Sequence, residues 1–280
     1  MPLVPTADLV AAARRAGGAV GAFNVITLEH AEAVATGAER AGRPAILQIS
    51  HNAVRFHGGA VHAIAAAATA VASASRADLA LHLDHVEDVE LLHQAAGAGF
   101  SSVMFDAGSL PYADNVAATA AAAEWAHRAG LWLEAELGYV GGKPGAPASA
   151  HAAGVRTDPV EAAAFVAATR IDALAVAVGS SHAMTTRTAR LDHELIGRLR
   201  AAVPVPLVLH GSSGVPDVEL RAAVTGGVGK VNVGTALNVA FTGAARAGLT
   251  EASVTDPRKY LAPARDAMAD VVAELLGVLS

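Results

Sequence analysis

Short apolar runs, each closed by polar or glycine-rich residues and followed by a longer stretch with helical spacing, recur from one end of the chain to the other. A run that is apolar throughout and flanked by turn residues marks a strand buried on both faces. Its alternation with helical stretches is the pattern of repeated βα units. Eight such runs can be drawn, at residues 19–25, 44–50, 79–85, 102–107, 131–137, 173–179, 206–211 and 230–235. Helices are predicted at 29–41, 57–74, 88–98, 112–129, 159–168, 192–202, 217–225 and 237–247. Eight strands alternating with eight helices predict an α/β fold, a closed (β/α)8 TIM barrel forming one domain over residues 1–280. An open doubly wound sheet is the alternative.

Two segments stand outside the repeat. Residues 138–158 follow the fifth strand and hold Gly, Pro and Ala without periodicity, which predicts a long functional loop. Residues 250–262 form a second loop. Pro263 then opens a final helix with Met268, Val271, Val272, Leu275, Leu276 and Leu279 on one stripe. That stripe covers either the barrel or a second subunit, so a homodimer or homotetramer is expected.

Composition narrows the chemistry. The chain is 53% hydrophobic and 16% charged, with only 11 aromatic residues, so its core must be built from many small side chains. A net charge of −6, with three Lys against 17 Arg, leaves no basic stripe for nucleic acid. No apolar run reaches the length of a membrane span, and residues 1–15 lack the pattern of an export signal. With no Cys, there is neither a thiolate nucleophile nor a sulfur ligand, and any metal must be held by imidazole or carboxylate. The same absence fits a reducing compartment, and a cytoplasmic location is expected.

In a barrel of this kind the site lies at the C-terminal ends of the strands. The eight ends supply Phe23-Asn24, Gln48 to Ser50, His82 to His85, Asp106, Glu134 with Glu136, Ser180 to His182, His210 to Gly214, and Asn232 to Thr235. Histidines closing the third, sixth and seventh strands point at one centre, and three imidazoles with an open position are a catalytic metal pattern. A merely hydrogen-bonded polar rim is the bland reading. Asp84, adjacent to His85, suits proton transfer beside the ion rather than ligation of it. Glu134 and Glu136, two apart, face the same side and need a cation or a proton between them, or else an Arg partner. The Gly211–Gly214 and Asn232–Thr235 runs lie where barrels commonly bind phosphate.

Together HLDH (82–85), EAELG (134–138), GSSH (179–182), LHGSSG (209–214) and KVNVGT (230–235), with AFNV (22–25) and DPRKYL (256–261), resemble the class II, zinc-dependent ketose-bisphosphate aldolases. The branch most similar contains the fructose-bisphosphate and tagatose-bisphosphate aldolases. The resemblance implies that His85, His182 and His210 hold a catalytic Zn2+. It makes Asp84 the proton donor and acceptor at the C4 oxygen. Asp106 and Glu136 match positions holding a second metal in some members, so a second divalent or monovalent cation is expected. Gly211, Ser212, Ser213, Asn232, Val233, Gly234 and Thr235 match a dihydroxyacetone phosphate site, with Asn24, Ser50 and Ala183 nearby and Arg258 at the distal phosphate. The implied partner is a small sugar phosphate. Two departures stand out: Ala183 replaces the usual Gly after the strand-six histidine, and residues 141–154 carry no acid.

Three rivals remain in view. A Schiff-base mechanism needs a lysine at a strand's C-terminal end. Only Lys143, Lys230 and Lys259 exist, and Lys230 is expected to begin the eighth strand, away from the site. A metal-dependent hydrolase would open with paired histidines where this chain has Phe23-Asn24. A regulatory barrel that binds sugar phosphate and metal without turnover is the non-catalytic alternative.

Overall fold

The computed structural model describes residues 3–138, 140, 156–250 and 253–280. Parallel strands β1 (Val20–Asn24), β2 (Ala45–Ser50), β3 (Leu79–Val86), β4 (Ser102–Phe105), β5 (Trp132–Leu137), β6 (Ala173–Val176), β7 (Leu207–Leu209) and β8 (Val228–Val233) follow one another in sequence order and close into a barrel. The closed barrel, not the open sheet, is the fold. The helices are α1 (Thr6–Arg15), α2 (Leu28–Ala41), α3 (His51–Phe56), α4 (Val61–Ala74), α5 (Val89–Gln94), α6 (Tyr112–Arg128), α7 (Pro159–Thr169), α8 (His193–Ala202), α9 (Asp217–Gly226), α10 (Thr235–Gly248) and α11 (Arg258–Val278). No helix among the described residues is long and apolar enough to cross a membrane.

Period-two alternation sorts each strand between two environments. On β2, Leu47 and Ile49 pack outward against the helices, whereas Ile46 lies in a separate cluster inside the barrel. On β5, Leu133, Ala135 and Leu137 likewise join the outer core, which leaves Trp132, Glu134 and Glu136 for the interior. The lower interior is apolar: Val20, Ala22, Ile46 and Ala80 meet Leu9 and Val10 of α1, with Ala173, Ala175 and Val208 across from them. Trp132 packs against both groups. The helix α1, absent from the sequence prediction, thus closes the N-terminal end of the barrel.

Two bulges break the alternation. In the β3–β4 ladder, Leu83 pairs with Val103 and Val86 with Phe105, so β3 carries one extra residue. His85 takes it up with φ +50, the left-handed region that few side chains adopt. In the β7–β8 ladder, Leu207 pairs with Val228 but Val208 with Lys230, so Gly229 is extra. A Cβ on Gly229 would come within 3.0 Å of the Arg14 side chain on α1. Without that bulge, Lys230 and Asn232 would face the helices rather than the interior.

The remaining helical expectations change at their edges. The stretch after β2 contains an additional short helix, α3, whose N-cap is Ser50, with its Oγ accepting from the Ala53 N–H at 3.1 Å. The last helix begins at Arg258, five residues before the expected start, and Pro263 lies inside it. Residues 258–262 are therefore helical rather than loop. Pro263 has no N–H to give the carbonyl of Lys259, so the helix continues there on packing rather than on that bond. The α11 stripe is buried within the chain, where Met268, Ala269, Val272, Leu275 and Leu276 meet the core. Contact with α2 is close enough that a Cβ on Gly37 would fall 2.6 Å from Val272 Cβ. This helix covers the barrel, so its apolar stripe gives no argument for a second subunit.

Candidate active site

A cavity of about 680 Å³ opens at the C-terminal end of the barrel, within the usual range for small-molecule sites. Of the three predicted histidines, His85 and His182 line it, and His210 lies fully buried against them. The ring centroids of His85 and His210 lie 5.0 Å apart, those of His85 and His182 5.5 Å, and those of His182 and His210 6.0 Å. Ligand atoms from these three and from Glu136 all fall within 4.8 Å of one another. Around a single ion with bonds near 2.0–2.1 Å, tetrahedral ligands sit roughly 3.3 Å apart, so the four donors need only small adjustments. Three imidazoles and one carboxylate suit a borderline divalent cation such as zinc better than a hard, all-oxygen ion.

The surrounding groups fix the ring orientations. Asp106 Oδ2 accepts from His85 Nδ1 at 2.8 Å, and Glu134 Oε1 accepts from His210 Nε2 at 2.8 Å. His210 Nδ1 approaches Glu136 Oε2 at 2.9 Å but outside hydrogen-bond alignment. Asp106, expected at a second metal, is absent from the four-residue ligand group and instead orients a ligand. Glu136, also expected at a second metal, joins the same group as the three histidines. The cation that Glu134 required is Lys230, whose Nζ lies 2.8 Å from Glu134 Oε2, together with His210.

Electrostatics follow from this wiring. Burial would make imidazolium unfavourable at His210, yet the hydrogen bond to Glu134 and the Glu136 carboxylate beside its other nitrogen raise its pKa to about 10. Burial would raise the Glu134 carboxyl, but Lys230 and His210 bring it down to about 2. In the protein without metal, His210 is therefore a cation held between two carboxylates, and a metal must displace its Nδ1 proton. Burial likewise opposes charge on Asp84, but His85, His82 and His210 hold its carboxyl well below the usual carboxylate range. Its Oδ2 accepts from Gln48 Nε2 at 3.0 Å and lies 3.9 Å from His85 Nε2, beside the metal group rather than in it. His82, buried beneath with Nδ1 2.7 Å from Ser102 Oγ, is kept neutral by burial and by Lys230.

The loops after β7 and β8 complete the rim. Gly211 has φ +65, and a Cβ there would sit 2.6 Å from the Ser181 backbone, so only glycine lets this loop press against the one carrying His182. Ser213 Oγ accepts from Ala236 N–H at the start of α10, at 3.0 Å. Gly234 and Thr235 open that helix and line the cavity with Ser212, Asn24, Ser50 and Ala183. Ala183 has φ +60, a conformation that favours glycine. Asn232 gives its oxygen to Lys230 at 2.8 Å, while its Nδ2, buried, has no hydrogen-bond partner.

Two predicted substrate residues are not brought into the cavity. Val233 is buried in the outer core, because alternation places it opposite Asn232. Arg258 is exposed and paired with Asp256 at 2.7 Å. The lining cation that sequence reasoning missed is Arg55 on α3, 3.7 Å from Glu87. Lys230, expected at the start of β8, is its third residue and is fully buried below the metal group. Gln48, seen in the sequence only as part of a strand end, and Lys230 lie two residues before Ser50 and Asn232, so strand alternation is the signal that turns both inward. The predicted long loop and its acid-free stretch fall mainly at residues 141–155, outside the described residues. Of its described end, Thr157 is buried, donating to Leu137 O and accepting from Ala177 N–H, which ties it to β5 and to the residue just after β6.

The fold and site agree with comparisons to known proteins. The YdjI aldolase of Escherichia coli K12 is 29% identical and superposes with a TM-score of 0.86, covering 99% of this chain and 97% of that one. A fructose-bisphosphate aldolase of Campylobacter jejuni, 22% identical, shares the fold at a TM-score of 0.83 over 99% and 95% of the two chains. The family model for class II fructose-bisphosphate aldolases matches residues 4–280. With nearly its whole length matched and a His/Glu metal group at the mouth of the barrel, the chain belongs to the class II fructose-bisphosphate aldolase family and is a carbon–carbon lyase.

Proposed function

We propose that this aldolase cleaves a ketose 1,6-bisphosphate, fructose or tagatose bisphosphate, reversibly to dihydroxyacetone phosphate and glyceraldehyde 3-phosphate, with zinc as its ion. The observation that carries the reading is the meeting of His85, His182, His210 and Glu136 at one point with the Asp84 carboxylate beside them. His85, His182 and His210 would hold the ion, and Glu136 is placed to join them or to yield its position to substrate oxygens. When bound, zinc would supply the Lewis acidity that takes up charge on the substrate carbonyl.

The chain's own groups do the rest. Asp84, ionised and buried, removes the C4 hydroxyl proton as the C3–C4 bond breaks and returns it on condensation. Gln48 holds the other side of that carboxylate. The Gly211–Ser213 loop and the N-terminus of α10 offer hydroxyls and backbone N–H groups to the dihydroxyacetone phosphate end. Asn232 Nδ2 adds a donor to the same face. Ser50 retains its hydroxyl proton to donate, since its oxygen accepts the α3 cap. At the distal end, Arg55 rather than Arg258 is the arginine that this chain turns into the cavity. We place the protein in the cytoplasm as a homodimer or homotetramer, on the absence of Cys and on the resemblance.

The decisive assay compares both bisphosphates with zinc-loaded and chelator-treated protein. Zinc-dependent release of glyceraldehyde 3-phosphate from one of them is expected. Full activity after metal removal would end the reading. Tight dihydroxyacetone phosphate binding without cleavage would favour the non-catalytic barrel.

A further inference from the structure

Lys230 is the one lysine placed inside the barrel among the described residues, and nothing in the chemistry above assigns it a task. Its ammonium has three donors and no acceptor. All three are engaged: Glu134 Oε2 at 2.8 Å, Asn232 Oδ1 at 2.8 Å and Gln48 Oε1 at 3.3 Å. Because Lys230 can only donate, each acceptor must turn its oxygen downward, and the orientation of everything above is thereby set.

Three chains of hydrogen bonds leave this one point. Glu134, anchored through Oε2, receives His210 Nε2 on Oε1, which leaves Nδ1 of that ring facing the metal group. Gln48, its oxygen committed to Lys230, sends its amide N–H groups to Asp84 Oδ2 at 3.0 Å and Asn24 Oδ1 at 2.8 Å. Asn232, likewise committed, presents Nδ2 toward the cavity. We propose that Lys230 is a positioning residue that orients a metal ligand, the proton-transfer carboxylate and a substrate donor through Glu134, Gln48 and Asn232.

The proposal rests on the metal reading above. An imine role does not compete with it, since a fully engaged ammonium has no lone pair for a carbonyl, and borohydride trapping with substrate leaves no adduct on Lys230.

Zinc affinity, measured on full-length metal-free protein by competition with a chromophoric chelator, tests it independently of turnover. Lys230→Met is expected to bind zinc about 10–100-fold more weakly, the usual loss when a ligand's supporting partner goes. The double variant Lys230→Met with Glu134→Gln should lose no more than the worse single variant, because both act along one chain. A circular dichroism spectrum like that of the parent accompanies each. A folded Lys230→Met with parental zinc affinity, or losses that multiply in the double variant, overturns the proposal. A parent that takes up no zinc overturns the metal reading and this proposal with it.

Where Lys230→Met does not fold, the parent decides by NMR with 15N at the lysine side chains, of which the chain has only three. The Lys230 ammonium protons are expected to exchange far more slowly than those of exposed Lys259 and to shift when zinc is added. Exchange as fast as that of Lys259, or no response to zinc, refutes the assignment.

Discussion

The floor and the mouth of this barrel are built from the same strands, one turn of alternation apart, and obey opposite rules. The floor buries Val20, Ile46 and Ala80 against Leu9 and Val10 of α1, with Val208 in the apolar group across from them. The mouth buries Asp84, Glu134, His210 and Lys230 just as completely. Removing apolar atoms from the floor costs transfer energy and leaves a cavity. Removing one charge from the mouth leaves its partner buried and uncompensated, which is costlier per group and is felt first as lost function. Stability and chemistry are thus stacked along one axis.

The separation can be tested at both ends. Chelation, or His210→Ala, should bring cleavage to background while the far-ultraviolet spectrum persists; loss of fold along with activity would show that the two halves are not independent. Asp84→Asn should lower kcat about 10²–10⁴-fold, the usual worth of a positioned proton carrier, with zinc content by emission spectroscopy unchanged. A comparable rise in KM at constant kcat would deny it that role. At the floor, Ile46→Ala should cost about 2–5 kcal/mol in urea unfolding while zinc affinity stays at the parental value.

Smaller effects sharpen the contrast. Since the His210 pKa is raised to about 10, its contribution to metal-free stability is fully present below the ordinary histidine value near 6.5. That contribution is lost as pH climbs through about 10. Zinc loading at pH 8 should therefore release a proton, read as base uptake in a pH-stat. No release would mean that the ring is already neutral. Last, Ala183→Gly relieves a φ of +60 and should raise stability by about 1 kcal/mol in the same urea titration. Destabilisation there would show that the alanine methyl packs better than its backbone suffers.

Much of the molecule is legible in its residues. All eight strands fall where short apolar runs lie, and His85, His182, His210 and Asp84 are visible because strand ends in a barrel share a centre. The errors have local causes. α1 carries an ordinary amphipathic pattern, and its role as a plug exists only against the closed barrel. Lys230 lies inside β8 rather than at its start because the strand begins two residues before its expected boundary, ahead of the Gly229 bulge. Arg258 is expected from the resemblance at the distal phosphate, whereas in the fold it is exposed and Asp256, two residues away, engages it.

The sequence by itself determined the repeat, the donor types and the candidate ligands, because alternation and the absence of thiols are properties of neighbouring residues. The tertiary structure alone decided that Asp106 orients His85, that Glu136 joins the histidines, and that Lys230 stands beneath them all. These depend on barrel closure and on two single-residue bulges, which bring residues 76 or 96 positions apart into hydrogen-bond contact. No local pattern encodes the direction in which a bulged strand turns its next side chain.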